Sequence, residues 1–116
     1  MQPGFHELQS FVRGDTWIGI SSISITSNGI PPVADVVSAT IEFKARKSAL
    51  EVLSTLSTID NSILITDAST WTFSVPSQDL DLPAGKFYYD MQTIDTNGTV
   101  KTYIEGTITV LQDITT

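Results

Sequence analysis

Apolar and polar residues alternate with a period of two in short runs separated by turn-forming residues, which is the pattern of half-buried strands rather than amphipathic helices. The first run, Glu7 to Val12, stops at Gly14-Asp15. In the second, from Thr16, Ile18 and Ile20 share one face while Ile23 and Ile25 share the other, and this phase change predicts a bulge near Ser21-Ser22. The run ends at Ser27-Asn28-Gly29, a strong turn signal. After the loop Ile30-Pro31-Pro32, a strand from Ser38 to Arg46 places Ile41, Phe43 and Ala45 inward and Glu42, Lys44 and Arg46 outward.

Leu50, Leu53 and Leu56 repeat every third residue and would also suit a short helix, but the Ser and Thr spacers favour a strand around Glu51 to Leu56. Asn61 to Thr66 reads as a strand closed by Asp67-Ala68-Ser69, and Thr70 to Val75 as the next, with Trp71, Phe73 and Val75 on one face. Gln78 to Gly85 is a connection with room for one helical turn. Lys86 to Asp95 and Thr99 to Leu111 form a long hairpin around Thr96-Asn97-Gly98, because Asn and Gly both tolerate positive φ. In its second strand Val100, Thr102, Ile104, Gly106, Ile108 and Val110 would line one face.

These runs amount to about seven to eight strands in one domain spanning residues 1–116, with no long amphipathic helix and no internal repeat. The expected fold is all-β, an Ig-like antiparallel β-sandwich. Its predicted core comprises Ile18, Ile20, Ile41, Phe43, Trp71, Phe73, Phe87, Tyr89, Met91, Ile104 and Ile108.

Composition agrees, since 42 of the 116 residues are Thr, Ser or Ile, types that suit strands and turns. Charged residues make up only 16%, well under the roughly 25% of an average domain. A surface so poor in charge fits a chain covered by partners. The net charge of −7 argues against nucleic acid and against anionic membranes as partners. There is no cysteine and a single histidine, His6, which leaves almost nothing for thiolate, multi-His metal or Ser-His-Asp chemistry. Neither a catalytic residue nor a cofactor or metal is expected. Met1-Gln2-Pro3-Gly4 carries no basic and apolar leader, and the longest aliphatic run is Ile63-Leu64-Ile65, so the expectation is synthesis in the cytosol without export.

The closing half contains two specific stretches. Leu82-Pro83-Ala84-Gly85-Lys86-Phe87-Tyr88-Tyr89-Asp90-Met91-Gln92 is followed by Gly98-Thr99-Val100-Lys101-Thr102-Tyr103-Ile104-Glu105-Gly106-Thr107-Ile108-Thr109-Val110, and the chain closes on Asp113-Ile114-Thr115. With the early Arg13-Gly14-Asp15-Thr16, these resemble the Ig-like domain at the N-terminus of tailed-phage baseplate upper proteins and related virion proteins. The resemblance implies a structural subunit of a virion. Its partners would be other virion proteins in a symmetric multi-copy or homo-oligomeric arrangement, in the tail, the baseplate or a head-decoration layer. It places interaction residues at Tyr88, Asp90, Tyr103, Gly106, Asp113 and Ile114. Relatives of that kind commonly continue into a trimerisation or fibre-attachment region, which this sequence does not include.

Other readings compete at particular residues. Arg13-Gly14-Asp15 spells a cell-adhesion tripeptide but reads first as a turn, and Asn97-Gly98-Thr99 is formally a glycosylation acceptor on a hairpin tip. Asp60, Asp67, Asp79, Asp81, Asp90 and Asp95 could supply oxygens to Ca²⁺, although scattered Asp residues mostly form turns. Lys44, Arg46 and Lys47 form the basic cluster, read as an ion-pairing surface. The alternative function is a carbohydrate-binding module stacking sugars on Trp17, Trp71 or Tyr103, which requires those rings to be exposed. Acidic mimicry of DNA would need dense carboxylates, whereas these thirteen are spread from Glu7 to Asp113.

Overall fold

The alternation translates into strands wherever an apolar face can be buried. A computed structural model describes residues 4–26, 29–46 and 48–112, and nine strands lie among them. They are β1 (Gly4–Glu7), β2 (Phe11–Val12), β3 (Ile20–Ser24), β4 (Val36–Lys44), β5 (Ser54–Ser57), β6 (Leu64–Asp67), β7 (Thr72–Val75), β8 (Gly85–Asp95) and β9 (Val100–Leu111). The first expected strand splits at Leu8–Ser10 into β1 and β2, each pairing with β9. Both of those pairings are parallel, a departure from the all-antiparallel expectation at one edge of the molecule.

One sheet runs β1-β9-β8-β4-β5, with β2 continuing along β9, and the other runs β3-β7-β6. This is the Ig-like sandwich: a hairpin of two late strands sits beside β4 in one sheet, and the second sheet collects three strands from the first two-thirds of the chain. The turn expected at Ser27-Asn28, Lys47 of the basic cluster, the side chain of His6, and Asp113 and Ile114 lie outside the described residues and side chains.

The core fills the space between the sheets. From the large sheet, Ile41, Phe43, Tyr89, Met91, Ile108 and Val110 point inward, and Phe73 and Val75 meet them from the small one. Trp17 stands edge-on to Phe43 at 6.4 Å, and Phe43 lies 6.0 Å from Tyr89. Trp17 precedes β3 and joins the core through a two-way backbone bridge with Gln78, at 2.9 and 3.0 Å. Several sequence expectations fail here. Ile18 is 61% exposed because the chain turns at Gly19 before β3 begins, and Ala45 is exposed because β4 ends at Lys44. Ile20 and Ile104 are only partly buried, packed on the edge of the core.

Of the four register shifts among the described strands, which also include Val36/Ser38 and Ile65/Asp67, two bear directly on the alternation read from the sequence. The bulge predicted near Ser21-Ser22 is present as a register shift between Ile20 and Ile23. A second one was not visible in the alternation: Met91 opposes Ile104 while Gln92 opposes Thr102, so Tyr103 is the extra residue on β9. The single face expected for β9 is therefore broken. Ile104, Ile108 and Val110 face the core, whereas Val100 is 60% exposed.

The β8–β9 turn uses one of its two candidate residues. Gly98 has φ +78, and Asn97 is not among the positive-φ residues. The Gly98 N–H donates to the Asp95 carbonyl at 2.9 Å, and Asp95 Oδ1 accepts from the Asn97 and Thr99 N–H groups. That is a type I turn closed by a glycine bulge rather than a two-residue link.

Candidate functional site

Alternation along β4, β8 and β9 leaves a second set of residues on the outer face of the large sheet. Strand order then aligns them. Glu42 pairs with Asp90, and Asp90 pairs with Glu105, so three carboxylates stand side by side across three adjacent strands. The next row brings Lys44 opposite Tyr88 and Tyr88 opposite Thr107. Side chains directly opposite one another on neighbouring strands lie about 5 Å apart at Cβ, where like charges are destabilising.

Glu42, Lys44, Tyr88, Asp90 and Glu105 line a small open cleft of about 50 Å³, floored near Tyr89 and Gly106. Asp90 is its most perturbed member. Burial pushes its carboxyl above the ordinary range; the Lys44 charge opposes this, and the Glu42 and Glu105 charges add to it. Its Oδ1 is buried and accepts no hydrogen bond among the described residues. Beneath the cleft, burial raises the Tyr89 phenol to about 12.

Of the four predicted interaction residues within the described chain, Tyr88, Asp90 and Gly106 gather at this cleft. Tyr103 does not. The β9 bulge carries it to the end of the sandwich, where its ring stands edge-on to Trp71 at 5.4 Å, with the Lys101 ammonium 5.0 Å above it. Glu42, Lys44 and Glu105 were legible as outward-facing residues, but only the order β4-β8-β9 makes them neighbours.

The competing sites resolve as structure. Trp17 and Trp71 are each only 1% exposed, which removes the stacking platform that a carbohydrate module would need. Trp71 is held in a left-handed backbone conformation, φ +53, by its packing and by the bond from its indole Nε1 to the Ala34 carbonyl at 2.7 Å. Asp60 caps Ser62, and Asp67 accepts from Ser69 and Thr70; these hydrogen bonds hold both carboxyls below the ordinary range. Together with Asp95 they are turn formers. Arg13-Gly14-Asp15 is an exposed turn closed by the Asp15 N–H on the Val12 carbonyl at 3.0 Å. Among the described residues no three His, Asp or Glu side chains come together in a way that would hold a metal ion.

No family model and no curated protein matches the sequence. Among solved structures, CopC from Methylosinus trichosporium OB3b is similar over 88% of this chain and 99% of its own, at 8% identity and a TM-score of 0.44. That degree of likeness says nothing about what this chain binds.

Proposed function

We propose that this chain is a non-enzymatic structural subunit of a tailed-phage or prophage virion, in the tail, the baseplate or a head-decoration layer, that works through protein–protein contacts. The observation that carries the reading is the closing motif. Its residues make up the β8–β9 hairpin, and the side chains that the motif alternates with core positions stand on an outer sheet face. Phe87, Tyr89 and Met91 anchor that hairpin in the core, which leaves Tyr88, Asp90 and Glu105 half-buried on its outer face. A rigid sheet presenting a polar, mixed-charge face suits repeated docking in a symmetric assembly. On this reading the chain is made in the host cytosol and ends in the particle, with other virion proteins or further copies of itself as partners.

Mass spectrometry of purified particles tests it. The expected result is that peptides of this chain co-purify at the stoichiometry of a structural protein, and that a reconstruction contains density for the sandwich in repeated positions. Consistent absence of the chain from purified particles overturns the proposal.

A further inference from the structure

The N-terminal arm, residues 4–12, is fastened to the sandwich along one line. Among the described residues β1 and β2 pair with β9 and with no other strand. These pairings are parallel while every other strand pairing is antiparallel, and parallel pairs are slightly weaker per residue. The ladder is also interrupted. It runs from Gly4 opposite Ile104 to Glu7 opposite Thr107 and resumes at Phe11 opposite Val110, and Gln9 and Ser10 border an open gap beside Thr109.

Packing beneath the arm is incomplete as well. Leu8 and Phe11 are partly buried against the edge of the core. Leu8 lies at a cavity of about 350 Å³ whose other walls include Ile20 and Ile23 of β3 and Met91 and Ile104 of the large sheet. An element held by one edge of hydrogen bonds over loosely filled space belongs to the low end of local stability, and it opens without unfolding the rest.

The linker that follows is built to turn. Arg13, Gly14, Asp15 and Thr16 are all exposed, and the chain is fixed again at Trp17, which is buried and bridged to Gln78. Gly14 has φ +91 with open space around its Cβ position, and the Asp15 N–H closes the turn on the Val12 carbonyl at 3.0 Å. When the arm lifts, β9 keeps an unpaired edge whose complement is already defined by the register and by the seats of Leu8 and Phe11. The same arm of a second copy makes every one of those contacts, and only the linker changes course.

We propose that the β9 edge is a docking site for residues 4–12 of a second copy of this chain, so that neighbouring subunits are joined by exchanging N-terminal arms about residues 13–16. The inference deepens the assembly reading, on which its use in a particle rests, by making the partner a further copy. Its test uses the purified chain, so its failure is distinguishable from absence of the chain from particles.

The chain has no cysteine, so Val12→Cys/Leu111→Cys sets one reporter pair on directly opposed positions of β2 and β9. Oxidation gives an intrachain-linked monomer when the arm docks on its own subunit and a covalent dimer when arms are exchanged, read on non-reducing gels and by light scattering. Monomer is expected in dilute solution. The dimer share should rise as the chain approaches roughly millimolar concentration, the effective concentration of a segment on a short tether. Deleting Gly14-Asp15 from the same variant removes the left-handed residue and the N–H that closes the turn, and should bring dimer on at a concentration at least about tenfold lower. Thermal melts establish that each variant folds. A folded deletion variant that stays monomeric, or dimers whose reporter pairs are linked within each chain, would overturn the proposal. If the deletion variant does not fold, the full-length hinge decides alone: intrachain linkage at every concentration into the millimolar range overturns it, and interchain linkage that grows with concentration supports it.

Discussion

Replacing Gly19 with alanine gives the sharpest test of how closely the chain entering β3 packs on the end of β7. Gly19 has φ +75, and a Cβ there would lie 2.1 Å from the Val75 carbonyl oxygen and 2.7 Å from that of Pro76. Non-bonded heavy atoms prefer about 3.5 Å or more, so the chain before β3 would have to lift by more than about 1 Å from the end of β7. Neither obstacle is a side chain that can rotate away; both are backbone. The left-handed conformation costs a non-glycine residue about 1–2 kcal/mol, and overpacking typically adds about 1–3 kcal/mol. Gly98→Ala supplies the control, because its φ of +78 is nearly the same while nothing lies within 4 Å of its Cβ position. It should lose only the conformational part. At roughly 3–6 °C per kcal/mol for a chain of this size, Gly19→Ala should lower Tm by about 6–30 °C and Gly98→Ala by about 3–12 °C, with the Gly19 variant always the lower of the two. Circular dichroism melts of both variants beside the parent measure the difference. Equal shifts would refute the packing argument and leave backbone conformation as the whole effect.

Asp90→Asn should raise stability at neutral pH by about 0.5–1 kcal/mol, the scale of a screened cross-strand charge interaction at a half-exposed site. Because the folded carboxyl of Asp90 is raised, its favourable contribution is full below the ordinary carboxylate pKa and is lost as pH rises through the folded value, so the gain in Tm should shrink on acidification from neutral pH to below that ordinary value. Asp67→Asn has the opposite sign: the lowered carboxyl of Asp67 stabilises above the ordinary value and loses that contribution as pH falls through the folded one, so variant and parent should converge in melts at low pH. Trp71→Ala should cost about 3–5 kcal/mol in urea denaturation through the cavity and the lost bond to the Ala34 carbonyl, and a loss under about 1 kcal/mol would contradict its place in the core. Both tryptophans should show blue-shifted emission resistant to acrylamide quenching, and quenching at the rate of free indole would restore the sugar-stacking reading.

Much of the architecture was legible because burial on one face imposes a period of two. Phe87, Tyr89 and Met91 could be assigned to the core from alternation alone, and the phase change at Ser21-Ser22 exposed the β3 bulge. The bulge at Tyr103 escaped because Thr102 and Ile104 keep the alternation formally intact, and the extra residue is defined only against β8. Ile18 was misplaced for a related reason. It belongs to a segment that must turn at Gly19 to pass β7, and a strand pattern carries no record of what lies across from it. Trp17, Leu80 and Leu82 were missed as core because they lie outside the named strands and are buried by the sandwich end they close.

The sequence by itself determined the fold class, the strand positions within a few residues, the hairpin tip and the outward direction of Glu42, Lys44, Tyr88 and Asp90, because each follows from local chemistry or from a neighbour two residues away. Tertiary structure alone decided that Glu42, Asp90 and Glu105 form one row, since these residues are separated by 48 and 15 positions and meet only through the order β4-β8-β9 and its register. It also decided that both tryptophans are interior and that Gly19 has no room for a side chain. Periodicity assigns a residue to a face; strand pairing supplies its neighbours, and the candidate site is a property of the neighbours.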